Sequence, residues 1–252
     1  MNPTTSSLIV FACVSGGALV GMILRVTLPE RHLSNEAKDV IRLGLGLITM
    51  MNALILGLLI STAKSSYDAK RTELTQMAAN AILVDRSLAM YGSETKEVRG
   101  ALRDLLVDLI DQIQSIRGGR YKPESAASAP GAKRFYQLVR RLSPRDDGQK
   151  SLKAEVLRAS FEVAQIRAVA LAQESNSIPM PFLFVLTFWL VVLFTGYGLF
   201  APLNPTVVIA LSICSFSISA AVFMILAMDQ PFSGSMDISI EPLINAISVV
   251  NR

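Results

Sequence analysis

The chain has 252 residues, of which 51% are hydrophobic and 17% charged, with a formal net charge of +4 and a pI near 9.2. So apolar a balance argues against an ordinary soluble domain, and basic groups on a membrane chain meet anionic headgroups rather than nucleic acid. Cys13 and Cys214 both fall inside apolar runs, which implies small packing residues and neither a disulfide framework nor a zinc site.

The first uncharged run, Ser7 to Leu24, is near the length that spans hydrocarbon. No Lys or Arg precedes it and a second run follows closely, so it reads as a retained helix and not a secretory signal. Gly17 and Gly21 form a GxxxG pattern on it, a pattern for close helix contact. Residues 25–42 form a short loop in which His32, the only histidine, reads as a solvated side chain and Ser34 as the cap of the next helix.

The second uncharged run is Leu43 to Thr62. Gly46, Ala53, Gly57 and Ser61 give it a small-residue seam, and Thr49 and Asn52 lie three apart.

Residues 64–174 read as a helical soluble segment. Ser66 to Tyr91 is an amphipathic helix carrying Leu74, Met77, Ala81, Ile82 and Leu88, ended by Gly92. Ser93 or Thr95 then caps a second helix with Val98, Leu102, Leu105, Leu109 and Ile116 in a heptad-like seam. The stretch 118–132, rich in Gly, Ser, Ala and Pro, is a flexible linker. A third helix starts near Gln149 with Leu152, Val156, Phe161, Ala164, Ile166 and Val169, and leads to two prolines between Ser177 and Pro181.

From Ser175 to Met228 there is no Asp, Glu, Lys, Arg or His. As one helix that run would be roughly 80 Å long against a hydrocarbon core of about 30 Å. It must therefore fold back, and the break is APLNPT at Ala201 to Thr206. Two further spans result, about 180–200 and 207–228, the latter with Ser212, Ser215 and Ser219 in an i, i+3, i+7 stripe. A charge at mid-bilayer costs on the order of 2.5 to 3.5 kcal/mol, consistent with four charge-free spans. The in-span polar residues Thr49, Asn52, Ser212, Ser215 and Ser219 are candidates either for a permeation path or for hydrogen bonds between packed helices.

The tail, 229–252, opens with MDQPFSGSMDISIEPL. Asp229 follows the last apolar residue, Pro231 stops the helix, Phe232 anchors at the interface and Gly234 permits a sharp turn. Glu241-Pro242 restarts a helix with Leu243, Ile244, Ile247 and Val250 on one face, suited to lying on the membrane or to packing on the soluble segment.

The pattern offers no catalytic set. No span holds paired aspartates or a base beside a serine, and no His, Cys or acid cluster has metal spacing. No metal, other cofactor or enzyme activity is expected. Basic residues near the span ends are nearly even on the two sides, so charge does not set the orientation.

Several blocks resemble one family. DQPFSG at 229–234 with EPL at 241–243, LPERHLS at 28–34, LGLLISTAKSSYDA at 56–69, AILVDRSLAMYG at 81–92 and FWLVVLFTGYGLFAPLN at 188–204 resemble the bacterial bestrophin-like family. The resemblance covers nearly the whole chain. It implies an all-α integral membrane fold of four spans with a helical cytosolic extension between the second and third, in the bacterial inner membrane with cytoplasmic termini. It further implies a homo-oligomer, a pentamer by analogy with bestrophin channels, whose partners are the lipid bilayer and ions. The competing expectation is a membrane-anchored interaction or sensory module in which the spans only anchor.

Overall fold

The computed structural model describes residues 2–28, 35–117, 130–173, 180–202, 204–230 and 236–250. Among these the chain is helical, with no strand. The helices are α1 (Pro3–Thr27), α2 (Asn35–Tyr91), α3 (Lys96–Arg117), α4 (Pro130–Arg141), α5 (Asp147–Gln173), α6 (Met180–Phe200), α7 (Pro205–Asp229) and α8 (Glu241–Val250). Parts of α1, α2, α6 and α7 are long and apolar enough to cross a membrane, which gives the four-span helical architecture expected. His32 and Ser34, and residues 118–129 of the linker, lie outside the described residues.

Local chemistry explains where these helices begin and end. Proline opens α1 and α7, where its fixed φ suits the first turn and its missing N–H costs nothing. The predicted turn between the last two spans holds: the Asn204 carbonyl accepts from Val207 N at 3.0 Å and Val208 N at 3.3 Å, closing the first turn of α7.

Two helices depart from expectation. The second span and the amphipathic helix after it were expected as separate pieces, and they are a single helix of 57 residues. No Gly or Pro falls between Ser61 and Tyr91, so hydropathy changes along α2 while helix propensity does not. It stops at Gly92, whose φ of 131° is open to glycine and strained for other residues. The second departure is α4, over residues partly read as linker. Phe135 and Val139, one turn apart and 3% and 1% exposed, anchor it, and Lys153 Nζ donates to the carbonyls of Arg140 (3.0 Å) and Leu142 (2.7 Å) at its end.

Ser93 or Thr95 was expected to cap the start of α3, and Thr95 does not. Instead it lies in a 3₁₀ turn, Ser93–Thr95, and its hydroxyl donates to Leu88 O and Gly92 O, both at 2.7 Å, closing the end of α2. The start of α5 is held by a reciprocal pair: Gln149 N donates to Asp146 Oδ1 at 2.7 Å, and Arg145 N donates to Gln149 Oε1 at 2.8 Å.

The chain divides into two units. The first, the membrane unit, is Met1–Ser66 with Asn176–Asp229; the second, the soluble unit, is Tyr67–Ser175 with Gln230–Arg252. In the membrane unit, Val10, Val14 and Ala18 of α1 share a core with Leu45 and Leu59 of α2, Leu186, Leu190 and Phe194 of α6, and Val222 and Ile225 of α7. In the soluble unit, Leu74, Ala78, Val84 and Leu88 of α2 share a core with Val98, Leu102 and Leu106 of α3, with Phe135, and with Val156 of α5.

The tail completes that second core. Ile238 and Ile240 precede α8, and Leu243, Ala246 and Val250 line its inner face, all buried. Of the two placements open for this helix, the packed one is found. Ile244, expected on the apolar face, is instead exposed.

Candidate functional site

The polar groups inside the spans are placed individually by the packing of the membrane unit. The Thr49 hydroxyl donates to Leu45 O at 2.8 Å and lies 3.0 Å from Tyr197 Oη on α6. Its single proton is thus engaged, so the Tyr197 hydroxyl is the donor. Asn52, one turn on, turns into the core at 5% exposure. Neither its Oδ1 nor its Nδ2 has a hydrogen-bond partner among the described residues. The two residues therefore do not share one environment.

The serine stripe of α7 also divides. Ser212 is exposed and donates to Val208 O at 2.8 Å, whereas Ser215 is buried and donates to Leu211 O at 2.9 Å. Ser219, also buried, donates to Ser7 O at 2.5 Å and ties α7 to α1. Nearby, Phe11 and Phe216 meet edge to face with centroids 6.4 Å apart.

The glycines fall into two groups. A Cβ built on Gly17 would stand 2.9 Å from Val191 O, and one on Gly21 would run into Thr195 O. Gly198 is the reciprocal position on α6, where a Cβ would strike Ala18 O. Backbones of α1 and α6 thus approach directly, as small residues allow. Sequence reasoning missed Gly198, which sits in an uninterrupted apolar run; its only signal was the spacing of small residues Gly196 and Gly198 near Thr195. By contrast, Cβ atoms at Gly46 and Gly57 would meet nothing within 4 Å, and Ala53 is exposed. With Leu47, Met50, Leu54 and Leu58 they form an outward face of α2 in the membrane unit.

In the soluble unit, α2 presents a different face. Asp68, Arg71, Thr72, Thr75 and Gln76, at helical steps on α2, line an open surface groove. Thr72 and Thr75 donate back to Asp68 O (2.8 Å) and Arg71 O (3.0 Å), leaving their oxygen lone pairs outward. The signal for this face was the polar complement of the apolar positions Leu74 and Ala78.

The soluble unit is pinned by charge. Arg99 donates from Nε and Nη2 to Asp85 at 2.6 and 3.0 Å, and the Asp85 side chain is 5% exposed. The hydrogen bond to Asp85 holds the Arg99 guanidinium above its ordinary pKa, and burial opposes it. Ser87 donates to Glu155 at 3.1 Å. The tail is held by Arg117, which donates from Nη2 to Ile238 O at 2.6 Å with Asp237 at 3.5 Å from its Nε.

Of the membrane-exit motif, Asp229 ends α7, and Glu241 and Pro242 open α8, where Glu241 N donates to Ser239 Oγ at 3.2 Å. Pro231, Phe232 and Gly234 lie outside the described residues. Among the described residues no three His, Cys, Asp or Glu side chains are grouped as a metal would need. The arrangement offers outward helix faces and polar pins.

Comparison with known proteins gives a consistent result. The family model for the bestrophin-like domain matches residues 12–243. Two solved structures of a bacterial bestrophin homologue from Klebsiella pneumoniae, each carrying one substitution, share the fold at TM-scores of 0.70 and 0.69. They are 12% and 14% identical, covering 97% of this chain in both cases and 97% and 99% of the other. A third structure, described as a membrane protein, has a TM-score of 0.69 at 13% identity over 96% of this chain and 99% of its own. No curated protein matches the sequence.

Proposed function

The chain belongs to the bestrophin-like domain family, and from that premise we propose that it is an oligomeric ion channel of a bacterial inner membrane. The observation that carries the proposal is a four-span fold shared over 97% of this chain with a bacterial bestrophin homologue. Bestrophins are channels rather than enzymes, which favours conduction over catalysis.

The pathway is formed between copies. In the membrane unit its lining is the outward face of α2, where Gly46, Ala53 and Gly57 are left uncovered by the chain's own helices. In the soluble unit the polar face from Asp68 to Gln76 provides hydrated lining. Of the α7 serines, Ser212 faces outward, while Ser215 and Ser219 serve helix packing. The exit motif is structural, joining α7 to the tail that completes the soluble core. By the family analogy the assembly is a pentamer with cytoplasmic termini.

The mass of the purified full-length protein in detergent, corrected for bound detergent, tests the assembly. A closed ring, five copies by analogy, is expected. A monomer would remove any pathway between copies and leave a membrane-anchored interaction module.

A further inference from the structure

We infer that Asn52 anchors a water-binding site inside the membrane unit, independent of whether the protein conducts ions. Its position follows from periodicity: Leu45, Asn52 and Leu59, at seven-residue steps, share the core face of α2, and the two leucines are each 7% exposed. Asn52 thus replaces a leucine at the centre of the apolar run from Leu43 to Thr62. Its amide brings one acceptor and two donor protons into that core, none of them paired among the described residues.

Several other polar groups of the unit are already engaged, while Ser15 Oγ and Arg25 Nη1 are, like the Asn52 amide, buried with no partner among the described residues. Thr49 donates to Leu45 O and meets Tyr197. Ser215 donates to Leu211 O, Thr195 to Val191 O and Ser219 to Ser7 O. At 5% exposure, Asn52 is enclosed by its own chain, so neither a lipid headgroup nor a second copy reaches it. A buried amide left unpaired in an apolar medium is costly, so its partner must be small. A cation would satisfy Oδ1 and be repelled by the Nδ2 protons; an anion would do the reverse. Water alone of the small candidates donates to Oδ1 and accepts from Nδ2, as buried waters do beside otherwise unpaired polar groups. Each copy therefore carries a hydrated point within its own core, separate from the outward face of α2.

The direct test is a high-resolution structure of the full-length protein in lipid nanodiscs. Ordered solvent about 2.7 to 3.2 Å from Oδ1 or Nδ2 is expected. A resolved amide bonded only to protein groups, or with no solvent beside it, would overturn the inference. A second reading comes from thermal unfolding of Asn52→Leu. If water is the partner it leaves with the amide, and the melting temperature stays level or rises. If the partner is a protein group, the substitution strands it, and a fall of several degrees would overturn the assignment.

Discussion

One helix, α2, follows opposite rules in the two units. In the membrane unit four of its leucines point outward, Leu43, Leu47, Leu54 and Leu58 at 63% to 75% exposure, and Leu45 and Leu59 turn into the core. In the soluble unit Leu74 and Leu88 are buried, while Asp68, Arg71 and Thr72 are exposed. Lipid is as apolar as leucine, so the membrane unit gains little from burying it and relies on close backbone approach instead. Water reverses the balance, and the soluble unit buries leucines and fixes the buried Asp85, Ser87 and Thr95 with explicit partners. Burial fractions fit this division. Between 17% and 33% of the most apolar stretch of each span is enclosed by the chain itself, leaving broad faces for lipid or other copies.

The contrast predicts which substitutions each unit tolerates. The largest effect is expected in the membrane unit at Gly21, where any Cβ meets the Thr195 carbonyl. Gly21→Leu should separate α1 from α6 and cost more than about 4 kcal/mol, read as loss of monodisperse protein on size-exclusion chromatography. Gly57→Leu, at a glycine whose Cβ would meet nothing within 4 Å, should leave the single-chain fold intact. Equal damage from both would erase the distinction between packed and outward glycines.

A smaller effect belongs to the soluble unit. Arg99→Ala strands the Asp85 carboxylate at 5% exposure and should cost about 3 kcal/mol, read as a lower unfolding temperature. An unchanged temperature would show that Asp85 finds another partner and that the pin is dispensable.

The smallest effect sharpens the same point. Tyr91, 3% exposed with no partner on its hydroxyl among the described residues, has its pKa raised, first by burial and then by Glu94. Below about pH 10 the phenol is neutral folded or unfolded. Above it the unfolded chain ionises first, so stability falls as pH rises toward the folded pKa. Tyr91→Phe should gain up to about 1 kcal/mol at neutral pH and flatten the alkaline loss in a melting series from pH 8 to 11. A lower melting temperature throughout would mean that the hydroxyl has a partner.

Much of this architecture was legible in the sequence because exclusion of charge from hydrocarbon is a strong signal. Charge-free runs marked the four spans, and Pro202 and Pro205 marked the turn between the last two. The continuity of α2 was not legible: Lys64 and Asp68 end the apolar run, yet nothing between Ser61 and Tyr91 breaks a helix. The helix α4 was hidden because two core residues, Phe135 and Val139, are a short pattern beside a Gly- and Ser-rich stretch. Thr95 illustrates a further limit, since a hydroxyl between two helices suits either end equally, and only packing shows that it closes α2. Among candidate pathway residues, spacing placed Thr49 and Asn52 together, but three positions turn a helix by about 300°. Which of them the core enclosed depended on how α2 packs against the other helices of the unit, a register no local pattern encodes.

The most direct measurement of the central claim is ion flux through the purified full-length protein reconstituted in liposomes, beside Gly57→Phe prepared identically. Flux above that of protein-free liposomes is predicted for the native chain, together with a marked reduction in the variant, because a bulky ring on the outward face of α2 would narrow the pathway between copies. A native protein that passes no ions under varied voltage, pH and calcium would contradict the channel reading.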